Sequence, residues 1–328
     1  MKGKVLTRDG LRASLSRHAT LIAFVLFVLT AGSNSVAVRF SDLELPPFWG
    51  AASRFALAAA IFWVIVLVRR IPLPRGRALI GSLLYGTIGV GVAFALAYWS
   101  LVRVQAGMAS IFLAFVPLVT VFLAAAHGLE PLSWRKVAGA LIAVGGIALI
   151  VSGGLGTGLT VPVLLVLIGF PFAMAEGAVI VKLFFPHDSP AATNAVSLSV
   201  GALILAGLSL LTGEKWSLPA SANTWAAFPY LVIVGSVLVF YLWLFVLARW
   251  PASRTSYGFV LMPLVGITVS VLLTGEVITT TFVLGAVVML VGVWLGAISH
   301  LPGKAALRLA PAPEVAPCTE MAESAVDC

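Results

Sequence analysis

Residues Leu113–Leu123 read LAFVPLVTVFL, and residues Phe259–Val269 read FVLMPLVGITV. Each is an apolar run centred on Pro-Leu-Val, and the two lie 146 residues apart. Carried outward, that register aligns residues 85–150 with residues 231–296 without a gap, and 16 of the 66 positions are identical. The matches include residues that a hydrophobic chain does not repeat by bias alone. Arg103 falls on Arg249, Ser110 on Ser256, Glu130 on Glu276, Gly139 on Gly285 and Gly146 on Gly292. Upstream the register becomes 143, placing Val36–Arg39 over Val179–Lys182. The three-residue change fits the longer connection at 212–224 in the second half.

The duplicated unit is a membrane unit. Of 328 residues, 61% are hydrophobic and 10% charged. A water-facing surface needs roughly 25% charged residues, so lipid is the solvent this composition fits. Apolar stretches predict helices at 19–38, 48–68, 78–99, 107–126, 134–152, 161–182, 191–211, 225–247, 254–273 and 278–298. Each approaches the roughly 20 residues needed to cross the hydrocarbon layer. The expected fold is therefore all-α, a polytopic membrane protein of ten transmembrane helices. Each repeat holds five. Five is odd, so the second repeat enters from the opposite side and the halves are inverted. Two such halves can exchange roles as inner and outer gates, which suits alternating access. The alternative is that duplication only built a large bundle.

Lys and Arg set the orientation. With a cytoplasmic N-terminus, 16 lie in inside segments and only Arg39, Arg103 and Lys215 in outside ones, while Arg54 lies within a helix. The positive-inside rule then puts both termini in the cytoplasm of a bacterial-type inner membrane. The expected divisions are a cytoplasmic segment 1–18, repeats 19–152 and 153–298, and a disordered cytoplasmic tail 299–328. The first apolar run continues past Ala31-Gly32-Ser33, so it reads as an uncleaved helix rather than a signal peptide. The net charge of +8 is topological, not a nucleic-acid surface. The two cysteines, Cys318 and Cys328, lie in the tail, and no Cys/His metal spacing or phosphate-cradling loop is present. No cofactor, metal or nucleic-acid partner is expected.

Charges inside the membrane mark candidate sites, because each costs at least about 2.5–3.5 kcal/mol. Two of them break the repeat symmetry. Arg54 corresponds to Ser197, and Glu176 to Ser33, which is followed by Asn34. Arg54 reads as a substrate or gate contact, with snorkelling to headgroups as the alternative. Glu176 reads as a cavity residue for a proton or a cationic group, with a helix-to-helix hydrogen bond as the alternative. Ser33, Asn34, Tyr85, Trp99, Ser110, Asn194, Tyr241 and Tyr257 complete the candidate pocket, which needs a few polar groups in an apolar wall. Pro117, Pro171 and Pro263 are expected to kink their helices. Glu130 and Glu276 each precede a helix, where an acid complements the positive end. They read as scaffold. Gly139 with Gly146, and Gly285 with Gly292, share helix faces and read as packing within the chain, with a homodimer interface as the alternative.

With these residues in view, the chain resembles the EamA-type members of the drug/metabolite transporter superfamily. The resemblance spans about residues 19–298. It rests on the Pro117 and Pro263 helices, on Glu130-Trp134-Gly139-Gly146 and Glu276-Gly285-Gly292, and on Arg54-Phe55. It implies a secondary carrier, an exporter of a small metabolite such as an amino acid. A membrane-embedded enzyme, or a channel or receptor, is the alternative. The four histidines, His18, His127, His187 and His300, lie at or beyond the predicted helix ends, which disfavours the enzyme.

Overall fold

The computed structural model describes residues 8–42, 44–101, 103, 113–151, 160–185, 188–218, 221–274 and 280–298. Ser110, Glu276, His187, His300, both cysteines and the expected disordered tail lie outside the described residues.

Prolines open several helices. Pro47, Pro117, Pro162 and Pro190 each sit in a first turn, where the missing N–H removes no intrahelical bond. In chain order the helices are α1 (Arg8–Asp42), α2 (Pro47–Val68) and α3 (Arg77–Leu84, then Tyr85–Val92 and Ala93–Leu101). There follow α4 (Val116–Ala126), α5 (Trp134–Val151), α6 (Val161–Phe184) and α7 (Pro190–Leu211). Last come α8 (Ala222–Val232, Ile233–Leu238 and Val239–Leu247), α9 (Ala252–Ser256, then Gly258–Thr274) and α10 (Thr280–Val293, then Trp294–Ile298). No strand occurs among the described residues. Helices α2, α3, α6, α7 and α8 are long and apolar enough to cross a membrane, while the apolar parts of α1, α4 and α10 are shorter.

Local features refine the sequence expectation. Helix α1 has 35 residues, about 52 Å at 1.5 Å per residue. It starts well before residue 19, because the apolar window finds only the membrane-facing part of a longer helix. Pro117 lies in the first turn of α4, just after a two-residue break that follows the helical Leu113; the earlier part of the expected 107–126 helix, up to residue 112, lies outside the described residues. Pro171 and Pro263 do lie inside α6 and α9.

The two halves interlock by equivalent pairs. Helix α2 packs along α7, α5 along α10, α1 against α8 and α9, and α6 against α3 and α4. Glycine sets the α5–α10 distance. A Cβ at Gly146 would lie 2.5 Å from the Met289 backbone N, and one at Gly292 2.5 Å from that of Ala143. The glycine stripe thus packs inside the chain.

Two π-helical stretches sit at matching places. Ile233–Leu238 of α8 corresponds, 146 residues on, to Thr87–Val92 within the Tyr85–Val92 stretch of α3. Each crosses a helix of the other half closely. A Cβ at Gly89 would lie 3.0 Å from the Gly177 Cα, and one at Gly235 2.3 Å from Asn34 Oδ1. Gly177 and Asn34 are themselves equivalent in the 143 register. Such wide turns are frequent at functional sites.

Acids at the helix ends bind the halves together. Glu44 accepts from Ser221 N at the start of α8 (3.1 Å). Glu214 accepts from Phe48 N (3.1 Å) and Trp49 N (2.8 Å) at the start of α2. Glu130 accepts from Ser253 N (3.1 Å) at the start of α9. Each carboxylate satisfies N–H groups that a helix start leaves free, at its positive end, and each time the helix belongs to the other repeat.

Candidate functional site

The interior of the bundle holds polar atoms with no protein partner. Arg54 of α2 is 4% exposed, and its Nε and Nη1 have no hydrogen-bond partner. Its guanidinium carbon lies 4.7 Å from the Phe55 ring centre and 5.9 Å from that of Phe94 on α3. Phe240 of α8 closes the cluster, 5.5 Å from Phe55 and 5.8 Å from Phe94. Cation–π contact supplies part of what desolvation costs the guanidinium, and among the described residues no carboxylate pairs with it. On α7, both amide atoms of Asn194 and the hydroxyls of Thr193 and Ser197 are also buried and unpartnered. On α1, Asn34 donates through Nδ2 to Gly235 O (3.1 Å), while its Oδ1 has no partner.

Leaving such a group unsatisfied costs about 1–3 kcal/mol, more when it is charged. Native interiors therefore contain few. Here they gather on α1, α2 and α7. Two of the positions, Arg54 and Ser197, are repeat equivalents. The π stretches border them: a Cβ at Gly86 would meet Ser197 O at 2.7 Å, and Gly235 meets Asn34. Tyr85, also on the α3 stretch, is buried in the same apolar core as Trp243 of α8. Trp243 packs on Phe27 (5.4 Å) and Phe259 (5.0 Å). Arg54, Asn34, Asn194 and Tyr85 are thus brought to the interior.

The other candidates lie elsewhere. Ser33 bonds Tyr230 Oη (2.7 Å). Trp99 carries Arg103 over its ring at 3.8 Å, as the equivalent Phe245 carries Arg249 at 3.5 Å. Tyr241 is 39% exposed and lines a cleft of about 470 Å³ with Arg69, Ile71 and Ser189. A larger cleft of about 760 Å³ between α2, α7 and α8 is walled by Trp49, Trp63, Trp225 and alanines. It contains none of the unpartnered groups, so volume does not mark the site.

Tyr257 and Glu130 belong to a tie at the end of the bundle that carries the basic connections. The Glu130 carboxylate accepts from Lys136 Nζ (2.7 Å), Ser253 N and Ser253 Oγ. Tyr257 Oη donates to Lys136 O (2.8 Å). Burial pushes the Glu130 carboxyl up, but the hydrogen bonds from Lys136 and Ser253 outweigh it and hold it below the usual carboxylate range. Glu130 was expected to cap its own helix, α5. It caps α9 across the repeat boundary instead, which spacing alone does not reveal. The repeat-equivalent positions of Lys136, Ser253 and Tyr257 are Phe282, Gly107 and Ile111, so the residues of this tie are not repeated in the sequence of the other half.

Glu176 is only partly buried, at 28% side-chain exposure, and His127 Nε2 lies 3.8 Å from its Oε1. Sequence reasoning missed His127 because it stands at the end of α4, outside the apolar run. It missed Thr193 because nothing in sequence separates a free buried hydroxyl from one bonded to its own helix.

The comparisons agree with this architecture. The model of the EamA-like transporter family matches twice, over residues 18–152 and 161–297. The chain is 28% identical over 266 residues to "Uncharacterized inner membrane transporter YedA" of Escherichia coli K12, covering 78% of this chain and 83% of that protein. It is 28% identical to the "Probable terminal-alkyne amino-acid exporter" of Streptantibioticus cattleyicolor, covering 83% and 91%. It is 27% identical to the "Probable amino-acid metabolite efflux pump" of Salmonella typhimurium, covering 86% and 95%. One solved structure superposes with a TM-score of 0.73 at 17% identity, over 86% of this chain and 97% of the other. This polytopic helical membrane protein, with its repeat in tandem, belongs to the EamA-like transporter family.

Proposed function

We propose that this protein is a secondary carrier that exports a small metabolite bearing an anionic group, such as an amino acid. The observation that carries the reading is Arg54, a buried cation with two unpartnered nitrogens between aromatic rings. A carboxylate or similar anion supplies the missing acceptors, and guanidinium geometry favours two-point contact. Asn194, Ser197 and Asn34 offer further polar contacts on the path between the halves. The two relatives named for export of amino acids or their metabolites support the direction and the substrate class. Charge bias puts the Glu130 tie on the cytoplasmic side. There it acts as the inner gate, which closes when the two repeats meet and must part to admit substrate.

The test is an overexpression screen for resistance to toxic amino acids and other carboxylates, followed by efflux from proteoliposomes loaded with the compound that scores. A carrier saturates as internal concentration rises. Flux that grows linearly without saturation would replace the carrier with a channel.

A further inference from the structure

His127 and Glu176 form a second ionisable site, away from the unpartnered interior groups. His127 ends α4. Its Nδ1 lies 2.9 Å from Leu123 O. A carbonyl oxygen only accepts, so Nδ1 carries the hydrogen. In the neutral ring Nε2 is then the atom with the lone pair, and it is the atom that faces Glu176 Oε1 on α6 at 3.8 Å. Two acceptors face each other across that contact. One proton, on either the imidazole or the carboxyl, turns mutual repulsion into attraction. The end of α4 also favours an imidazolium, because a helix C-terminus is the negative pole.

We propose that His127 and Glu176 together bind one exchangeable proton, and that its presence draws α4 to α6 and favours the closed Glu130 tie. Both side chains are partly exposed, at 37% and 28%. The tie is adjacent in the chain. Leu129 N (2.8 Å) and Glu130 N (3.3 Å) both donate to Ala124 O, in the turn that His127 and Gly128 complete. Gly128 has φ 69°, a left-handed conformation that favours glycine, so this turn has a fixed form that passes a displacement of His127 to Glu130.

The other charges on the elements packed around the pair are engaged elsewhere. Lys136 of α5 binds Glu130, Lys182 of α6 is drawn to Glu130, and Arg254 of α9 covers Trp250 at 4.0 Å. Arg77 of α3 covers Phe184 at 5.3 Å, and Arg249 beyond α8 covers Phe245. Arg135, at the start of α5, is the remaining cation on these elements. The link to transport rests on the carrier reading above; proton binding by the pair does not.

Histidine-selective ¹⁵N NMR of the purified full-length chain tests the site without transport. His127→Asn identifies the signal. The neutral form is expected as the Nδ1–H tautomer. Glu176→Gln, which keeps size but removes the carboxylate, should change the His127 ring-nitrogen signals. An Nε2–H tautomer, or the same His127 signals in both proteins, overturns the shared proton. The gate link is read by maleimide labelling of Ala252→Cys at the start of α9, in a chain whose Cys318 and Cys328 are serine. At one fixed pH, labelling should be faster in His127→Ala and in Glu176→Ala, which cannot hold the shared proton, than in the parent chain. Equal labelling in the three chains overturns the link to the gate while leaving the carrier assignment intact.

Discussion

Arg54→Ala is expected to lower kcat/KM for efflux by about tenfold to a hundredfold. A hydrogen bond to a charged group contributes about 1.5–3 kcal/mol, and each 1.4 kcal/mol is tenfold. Folding should respond in the opposite direction. Arg54 is buried without a hydrogen-bond partner on Nε or Nη1, so its removal relieves desolvation that nothing in the chain offsets. Thermal unfolding in detergent should therefore occur at the same temperature or higher. Arg54→Lys keeps the charge but loses the planar two-point geometry and the stacking on Phe55, and should retain part of the activity. Unchanged efflux by the alanine variant would leave Arg54 with no role at the substrate.

Glu130→Ala is expected to give the largest loss of stability among single changes at the tie. It strips Lys136 of its partner and frees Ser253 N at the start of α9. Breaking a buried pair costs about 3–5 kcal/mol, and the lower part of that range fits here because both side chains keep some solvent contact. Glu130→Gln should lie between the two, since it can still accept from Ser253. The pH dependence follows from the lowered carboxyl. Its folded value lies below the ordinary 4.5, so its stabilisation is fully present above that pH. It is lost as pH falls through the lower, folded value. The unfolding difference between wild type and Glu130→Gln should be constant from neutral pH down to about 5, then shrink toward zero in stronger acid. A difference that shrinks already between pH 8 and 6 would place the stabilisation on another group.

The apolar windows located the helices to within a few residues wherever lipid decides the pattern, as at α2, α5 and α7. They failed where something else decides it. The N-terminal part of α1 is helical without being apolar. The break at Tyr257 is a tertiary matter, since its hydroxyl reaches Lys136 O. The π stretches leave no mark in composition, although their equivalence follows from the repeat once Gly89 and Gly235 are aligned. Within the site, Arg54 was legible because a mid-membrane charge stands out against its repeat partner Ser197. Glu130 was legible as structural, but not as a tie to α9, because Ser253 is more than a hundred residues away in sequence. Tyr241 and Trp99 were chosen by residue type alone, and the fold turns them to a surface cleft and to a helix end.

The central claim is that transport requires the Glu130 tie to open. The most direct measurement is efflux by Glu130→Cys/Ser253→Cys, in a chain lacking Cys318 and Cys328, before and after oxidation. The side chains of Glu130 and Ser253 are in contact, so a disulfide across them holds the two repeats together. The account predicts that oxidation stops efflux from proteoliposomes and that a reductant restores it, while each single cysteine variant is indifferent to both. Efflux that continues at the reduced rate with the cross-link complete would contradict alternating access through this end of the bundle.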